Sequence, residues 1–161
     1  MSDTFILRLA ALDDLPALVK HRREMFVDME ALKGSTLEAR GLDAMDAAYT
    51  AYARTRLIDG RMQAWIAADG DRAAASGAIV YTDWLPRPDS KPAVLAYVHS
   101  VYTEPDYRRL GLARRILTAM IAECRARGLS RLTLHASAQG RGLYEQLGFV
   151  PTNEMRLVLG Q

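Results

Sequence analysis

The chain has 161 residues, 50% of them hydrophobic, with a net charge of +2, three histidines and one cysteine. That is enough for a single domain with its own core. It is too weakly basic for a nucleic-acid surface, since no Lys/Arg block with interleaved aromatics occurs, and a lone cysteine excludes an internal disulfide framework or a cysteine-rich metal site.

No run approaches the ~20 apolar residues of a membrane span. Met1-Ser2-Asp3-Thr4 has neither the basic start nor the apolar stretch of an export signal. A soluble cytoplasmic protein is therefore expected, with no membrane and no nucleic acid among its partners.

In chain order, Phe5 to Leu9 reads as a short strand. Asp13 is the expected N-cap of a first helix, with Pro16 in its opening turn. Leu15, Leu18, Val19, Arg22, Met25, Phe26 and Met29 recur at helical spacing. Gly34 and Ser35 break the pattern, and Ser35-x-x-Glu38 has the form of a capping box for a second helix. Met45, Ala48, Tyr49, Tyr52 and Ala53 continue along one face of it until Gly60.

Met62 to Ala68 and Ala73 to Tyr81 read as strands joined by an Asp69-Gly70 hairpin turn. Pro86, Pro88 and Pro92 mark a loop. Val94 to Thr103 is a long strand stopped by Pro105, and Tyr97, His99 and Val101 alternate onto one of its faces. Leu112, Ile116, Leu117, Met120, Ile121 and Cys124 form the apolar stripe of a helix ended by Gly128. Arg131 to His135 reads as a strand, Ala138 to Leu147 as a helix and Glu154 to Leu159 as a last strand. The order β-α-α-β-β-β-α-β-α-β predicts one α/β domain over residues 1–161, with a hairpin-built antiparallel part and a βαβ unit.

The chemistry concentrates where the long strand gives way to a helix. In Arg108-Arg109-Leu110-Gly111-Leu112-Ala113-Arg114 the glycine lets an anion approach the backbone. The first N–H groups of the helix lack internal partners and carry the positive end of its dipole. Arginines surround them, so a pyrophosphate is the expected ligand. No G-K-[ST] follows the glycine, and no G-x-G-x-x-G is present.

Arg108-x-x-Gly111-x-Ala113 resembles the acetyl-CoA pyrophosphate loop of the GCN5-related N-acetyltransferases. About thirty residues later, Leu143-Tyr144-Glu145-Gln146-Leu147-Gly148-Phe149 resembles that family's closing motif. The resemblance implies a mixed, mostly antiparallel central sheet flanked by helices, acetyl-CoA as co-substrate, and acetyl transfer to a primary amine by direct attack in a ternary complex. Dimers are common in the family, so a homodimer is an open expectation.

The resemblance also assigns residues. Backbone N–H groups of Arg109, Leu110, Gly111, Leu112, Ala113 and Arg114 would hold the pyrophosphate, assisted by the Arg108 and Arg114 side chains. Val101 and Thr103 would pair through their backbones with the pantetheine amides. Tyr144 is the expected general acid for the departing thiolate, because a phenol of pKa ~10 is protonated at neutral pH. Ser137 replaces the asparagine many members carry seven residues before the tyrosine, and could bond the cofactor or the neighbouring loop. Arg141 could reach the 3′-phosphate.

His99 is the candidate base, having the right pKa range. Glu104 is its runner-up, expected as a solvated loop side chain, and the third reading has no dedicated base, with solvent taking the proton. Cys124 reads as core, and no third ligand joins His99 and His135 for a metal.

The acceptor is not written in the motifs. The first two helices would select it, with Met25, Phe26, Asp28 and Tyr49 as candidate contacts, and Glu24, Asp28 and Glu30 could attract a cationic amine. A small-molecule amine is the leading expectation. Protein lysine or N-terminal acetylation, and a non-catalytic acyl-CoA sensor, are the alternatives.

Overall fold

The computed structural model describes residues 5–89 and 93–160. Met1 to Thr4, and Pro92 in the proline loop, lie outside them. Strand β1 (Ile6–Leu9) is followed by a 3-10 turn (Leu12–Asp14) and helix α1 (Leu15–Leu32). Helix α2 (Ala39–Ile58) leads to the hairpin of β2 (Met62–Asp69) and β3 (Arg72–Asp83), and then β4 (Val94–Thr103). A second 3-10 turn (Pro105–Tyr107), helix α3 (Leu112–Ala126), β5 (Leu132–Thr133) and helix α4 (Arg141–Gln146) complete the order. The strands form one sheet in the order β1-β2-β3-β4-β5. All neighbours are antiparallel except β4 and β5, which are parallel.

Alternation along the strands builds two cores. One face carries Ala67, Ile79, Ala96 and Val98 against Leu112, Ile116, Leu117 and Met120 of α3, with Leu143 of α4 and Leu147 just after it at its margin. The other carries Met62, Ala64, Ile66 and Ala78 against Leu15, Leu18, Tyr49 and Ala53 of α1 and α2. Fully burying one such aliphatic side chain contributes roughly 1.5–3 kcal/mol.

Between Ser76 and Ala78 the register of β3 on β4 slips, so two residue steps of β3 oppose three of β4, from His99 to Tyr102. Ser100 takes a φ of 53° there. This is a β-bulge. It reverses which residues face which side. Val101 packs with the α3 core, while Tyr102 meets His21 of α1, ring centroids 5.3 Å apart. The expected sharing of one face by His99 and Val101 therefore fails at the bulge. Gly77 lies opposite the extra residue, where a Cβ would come within 2.9 Å of Met120 Cε and 3.2 Å of both Ile116 Cγ2 and Val101 Cγ2.

Other expectations also give way. The N-cap of α1 is Asp14, not Asp13. Its carboxylate accepts from the Ala11 N–H at 2.7 Å and pairs with Arg8, also at 2.7 Å, bracing the 3-10 turn. Ser35 makes no capping box. Its hydroxyl bonds Glu30 at the end of α1, and α2 starts four residues later with Glu38 as an extended N-cap that makes no side-chain bond.

The strand over Arg131–His135 shrinks to Leu132–Thr133, and the helix over Ala138–Leu147 to Arg141–Gln146. The expected last strand does not form. Met155, Leu157 and Leu159 are 80–95% exposed, and without a neighbouring strand to complete a ladder the apolar pattern has nothing to pair with.

Candidate active site

β4 and β5 pair only at Ala96–Leu132 and Tyr97–Thr133. Beyond Tyr97, the β5 side of β4 carries no ladder. The strands part around a cleft of about 1600 Å³, walled by α1, α2, β4, the loop before α3 and the start of α4. Val101 and Thr103 line it, as do Tyr144, His99, Met25, Phe26, Asp28 and Tyr49.

The loop entering α3 has an unusual backbone. Arg109 has a φ of 67° and Gly111, the N-cap, a φ of 78°. Gly111 tolerates that conformation because it lacks a Cβ. The ladder here begins only at Arg115, whose N–H donates to the Gly111 carbonyl at 3.1 Å. Leu112, Ile116 and Leu117 root the helix in the core at 0–1% exposure, so its N-terminal amides are fixed in direction. Helix α3 is 15 residues long, and an anion at its start meets N–H groups and the dipole together.

The Arg108, Arg114 and Arg141 side chains have partners within the chain. Arg108 donates to Asp28 at 2.6 Å and to the Thr103 carbonyl at 3.1 Å, tying the loop to α1. Asp28 holds the Arg108 pKa above its ordinary value. Arg114 bonds Gln146 of α4. The exposed Arg141 lies 3.9 Å from Glu145, one turn along α4.

On the opposite wall the bulge sets a compact polar group. Arg22 Nη1 donates to Ser100 Oγ at 2.8 Å, and Ser100 Oγ is 3.0 Å from His99 Nδ1. The Arg22 guanidinium carbon lies 4.8 Å from the Tyr49 ring centroid and 5.1 Å from that of Phe26. Tyr49 meets the His99 ring edge-on at 6.0 Å. Burial, reinforced by the Arg22 charge, pushes the His99 pKa down to about 4. Burial pushes the Tyr49 phenol up to about 12. Arg22, Ser100 and Tyr97 were absent from the residues the sequence reading assigned to the site; the signal for the first two, a bulge, leaves no local sequence mark.

Tyr144 is half-buried on α4, edge-on to Phe149 with centroids 5.8 Å apart. Burial raises its pKa, so the phenol keeps its proton. Ser137 Oγ accepts from the Gly140 N–H at 3.1 Å, holding the turn that carries the tyrosine. A Cβ at Gly140 would come within 2.9 Å of the Tyr144 ring, which explains a glycine in so tight a place. Tyr97 Oη lies 2.7 Å from His135 Nδ1, whose Nε2 is 3.1 Å from Glu154. His99 and His135 do line one cleft.

Glu104 is not a solvated base candidate. It is 4% exposed, and Lys20 at 2.6 Å and Arg72 at 2.9 Å donate to it. Burial alone would raise its pKa, but these two bonds outweigh that and hold it at about 2. Cys124 is buried with its pKa raised by burial, as a core thiol should be. Among the described residues no group of three His, Cys, Asp or Glu side chains is placed to hold a metal, and no helix is long and apolar enough to cross a membrane.

Residues 34–160 match the acetyltransferase (GNAT) domain family. The chain belongs to that family. By family it is an acyltransferase. A GCN5-related N-acetyltransferase from Ralstonia eutropha JMP134 superposes with a TM-score of 0.86 at 27% identity, over 96% of this chain and 98% of that one. An acetyltransferase from Clostridium acetobutylicum, solved with acetyl-CoA, gives 0.85 at 27% identity over 96% of each chain. A stretch of 54 residues, 34% of the chain, is 37% identical to serotonin N-acetyltransferase 2 of the rice chloroplast, and spans 27% of that protein's length.

Proposed function

We propose that the chain, acting as a single domain, transfers an acetyl group from acetyl-CoA to a primary amine of a small molecule, by direct attack in a ternary complex. The observation that carries this is the free side of β4 beyond Tyr97, running straight into the Arg109–Gly111 turn and the N-terminus of α3. An extended amide-bearing arm fits the first by strand addition, and a pyrophosphate fits the second. The Thr103 carbonyl, already accepting from Arg108, keeps a second lone pair for such pairing.

Tyr144 is the proton donor to the departing thiolate. His99, with a pKa of about 4, is too weak a base to take a proton from an alkylammonium of pKa ~10. We assign it to holding the acceptor, and the ammonium proton passes to water. A macromolecular lysine acceptor would call for an open acidic groove. Here Asp28 is the lone carboxylate among the residues lining the cleft, and it is already paired with Arg108.

The test is amine-dependent release of free CoA thiol from acetyl-CoA across small amines and lysine peptides. Release with small amines supports the reading, and release confined to peptides refutes the acceptor class. Tight acetyl-CoA binding with no release from any amine would make the chain a sensor.

A further inference from the structure

The acceptor side of the cleft holds two buried polar atoms that meet no hydrogen-bond partner, Arg22 Nε and His99 Nε2, beside Tyr49 Oη, which meets only Ser100 and without a well-formed bond. Buried polar groups are nearly always paired, so two orphans beside a poorly held hydroxyl point to a missing occupant. The three groups adjoin one another, with the Tyr49 ring 4.8 Å from the Arg22 guanidinium carbon and 6.0 Å from the His99 ring.

Arg22 Nε and Tyr49 Oη can donate, and His99 Nε2 donates in the tautomer protonated there. Arginine can only donate, so Ser100 Oγ accepts from Arg22 Nη1. Ser100 Oγ keeps one hydrogen and a second lone pair, so His99 Nδ1 at 3.0 Å either accepts from it, leaving Nε2 a donor, or donates to it, leaving Nε2 an acceptor. Tyr49 keeps its hydrogen, since burial raises its pKa. With Nη1 committed to Ser100, the edge of Arg22 left over is Nε with Nη2. That parallel pair is the fork that binds a carboxylate side-on. Nη2 has no protein partner among the described residues and is not among the buried, sealed atoms. No carboxylate of the described residues lies in ion-pair range of Arg22.

The other charges point the same way. Of the four arginines lining the cleft, Arg108 and Arg109 belong to the loop entering α3 and Arg156 pairs with Glu154, which leaves Arg22 for the acceptor; the one lining aspartate, Asp28, is taken by Arg108. Glu30 is occupied by Ser35 and Lys33, and Glu24 does not line the cleft. The acidic residues once expected to attract a cationic amine are thus absent from the cleft or already paired.

Resting on the transferase reading above, we infer that the acceptor is an amine that also carries a carboxylate, of the amino-acid class, seated with that carboxylate on the Arg22 Nε–Nη2 edge and within reach of Tyr49 Oη and His99 Nε2. Seated so, the carboxylate satisfies donors that are otherwise orphaned. A plain amine leaves them unpaired and brings a second cation towards Arg22. A site built to pair a polar group rejects analogues that lack it.

The experiment compares matched pairs in the thiol-release assay: tryptophan with tryptamine, phenylalanine with phenethylamine, lysine with cadaverine. The expected result is a kcat/KM at least about tenfold higher for the carboxylate member of at least one pair, a discrimination typical of a lost charged contact. In Arg22→Gln that ratio should fall to near one, mainly through the acceptor KM, with the KM for acetyl-CoA unchanged. Arg22→Lys, which keeps charge without the fork, should restore part of it. Thermal melting of both variants shows that they fold. Equal or better use of the decarboxylated members, or a ratio indifferent to Arg22→Gln, overturns the inference while leaving the transferase reading standing. Failure to bind acetyl-CoA, or release with no amine of either kind, refutes both.

Discussion

His99 should titrate near pH 4 in the folded protein, and this has measurable consequences for stability. The perturbation is acidification across the interval between the ordinary histidine value of 6.5 and the folded value of about 4. Two causes act in order of size: burial of the ring beneath Tyr49 and the bulge, and then repulsion from Arg22, which reaches the imidazole through Ser100. The depression is about 2.5 pH units, and at about 1.4 kcal/mol per unit it corresponds to roughly 3 kcal/mol. A lowered histidine pKa means that the unfolded chain binds the proton better. Stability from this residue is therefore complete above pH 6.5 and is lost as the pH falls towards 4. At pH 5 the loss relative to pH 7 is roughly 2 kcal/mol. His21, buried and also lowered chiefly by burial, contributes with the same sign, so wild type must be compared with a His99→Gln variant. Denaturant unfolding at pH 7 and pH 5 gives the difference, and the imidazole resonances give the pKa directly. Because Arg22 is the lesser cause, Arg22→Gln should raise the His99 value by less than about half of the depression. Titration of His99 at or above 6.5, or identical pH profiles for wild type and His99→Gln, would refute the reasoning.

Three further outcomes are expected. Tyr144→Phe should lower kcat by about 10²–10⁴-fold, the range of general acid catalysis, while the acetyl-CoA dissociation constant, read by calorimetry, holds. Gly111→Glu should abolish that binding, because a carboxylate enters the anion site and a side chain is forced into the φ of 78°, itself costing roughly 1–2 kcal/mol; tight binding by this variant would place the pyrophosphate elsewhere. Gly77→Ala should destabilise by about 1–2 kcal/mol, since Met120 Cε at 2.9 Å can move but the branched Ile116 and Val101 at 3.2 Å yield less. A melting-temperature drop of about 2–8 °C is the readout, and a rise would show that the bulge gives way freely.

The sequence made the hairpin, the long strand, α3 and the loop before it legible because each rests on local signals. Asp69-Gly70 turns the chain, Pro105 follows the end of β4, and the apolar stripe of α3 faces the core as spaced. Helix ends and the final strand were less legible, since Ser35 had two available partners and a strand exists only where another lies beside it. The bulge was not legible at all. Nothing in Val98-His99-Ser100-Val101 announces an extra residue; it comes from the register between β3 and β4 and the room that Gly77 leaves opposite. Yet that one residue decides the site. Without it, strict alternation would put Val101 beside His99 on the α1 side and turn Ser100 towards α3. The Arg22–Ser100–His99 chain could then not form, and the cleft would lose its orphaned polar atoms. The proposed cofactor half of this site is written in a motif, whereas the proposed acceptor half is written in a register shift, which fits a family whose acceptors the motifs do not name.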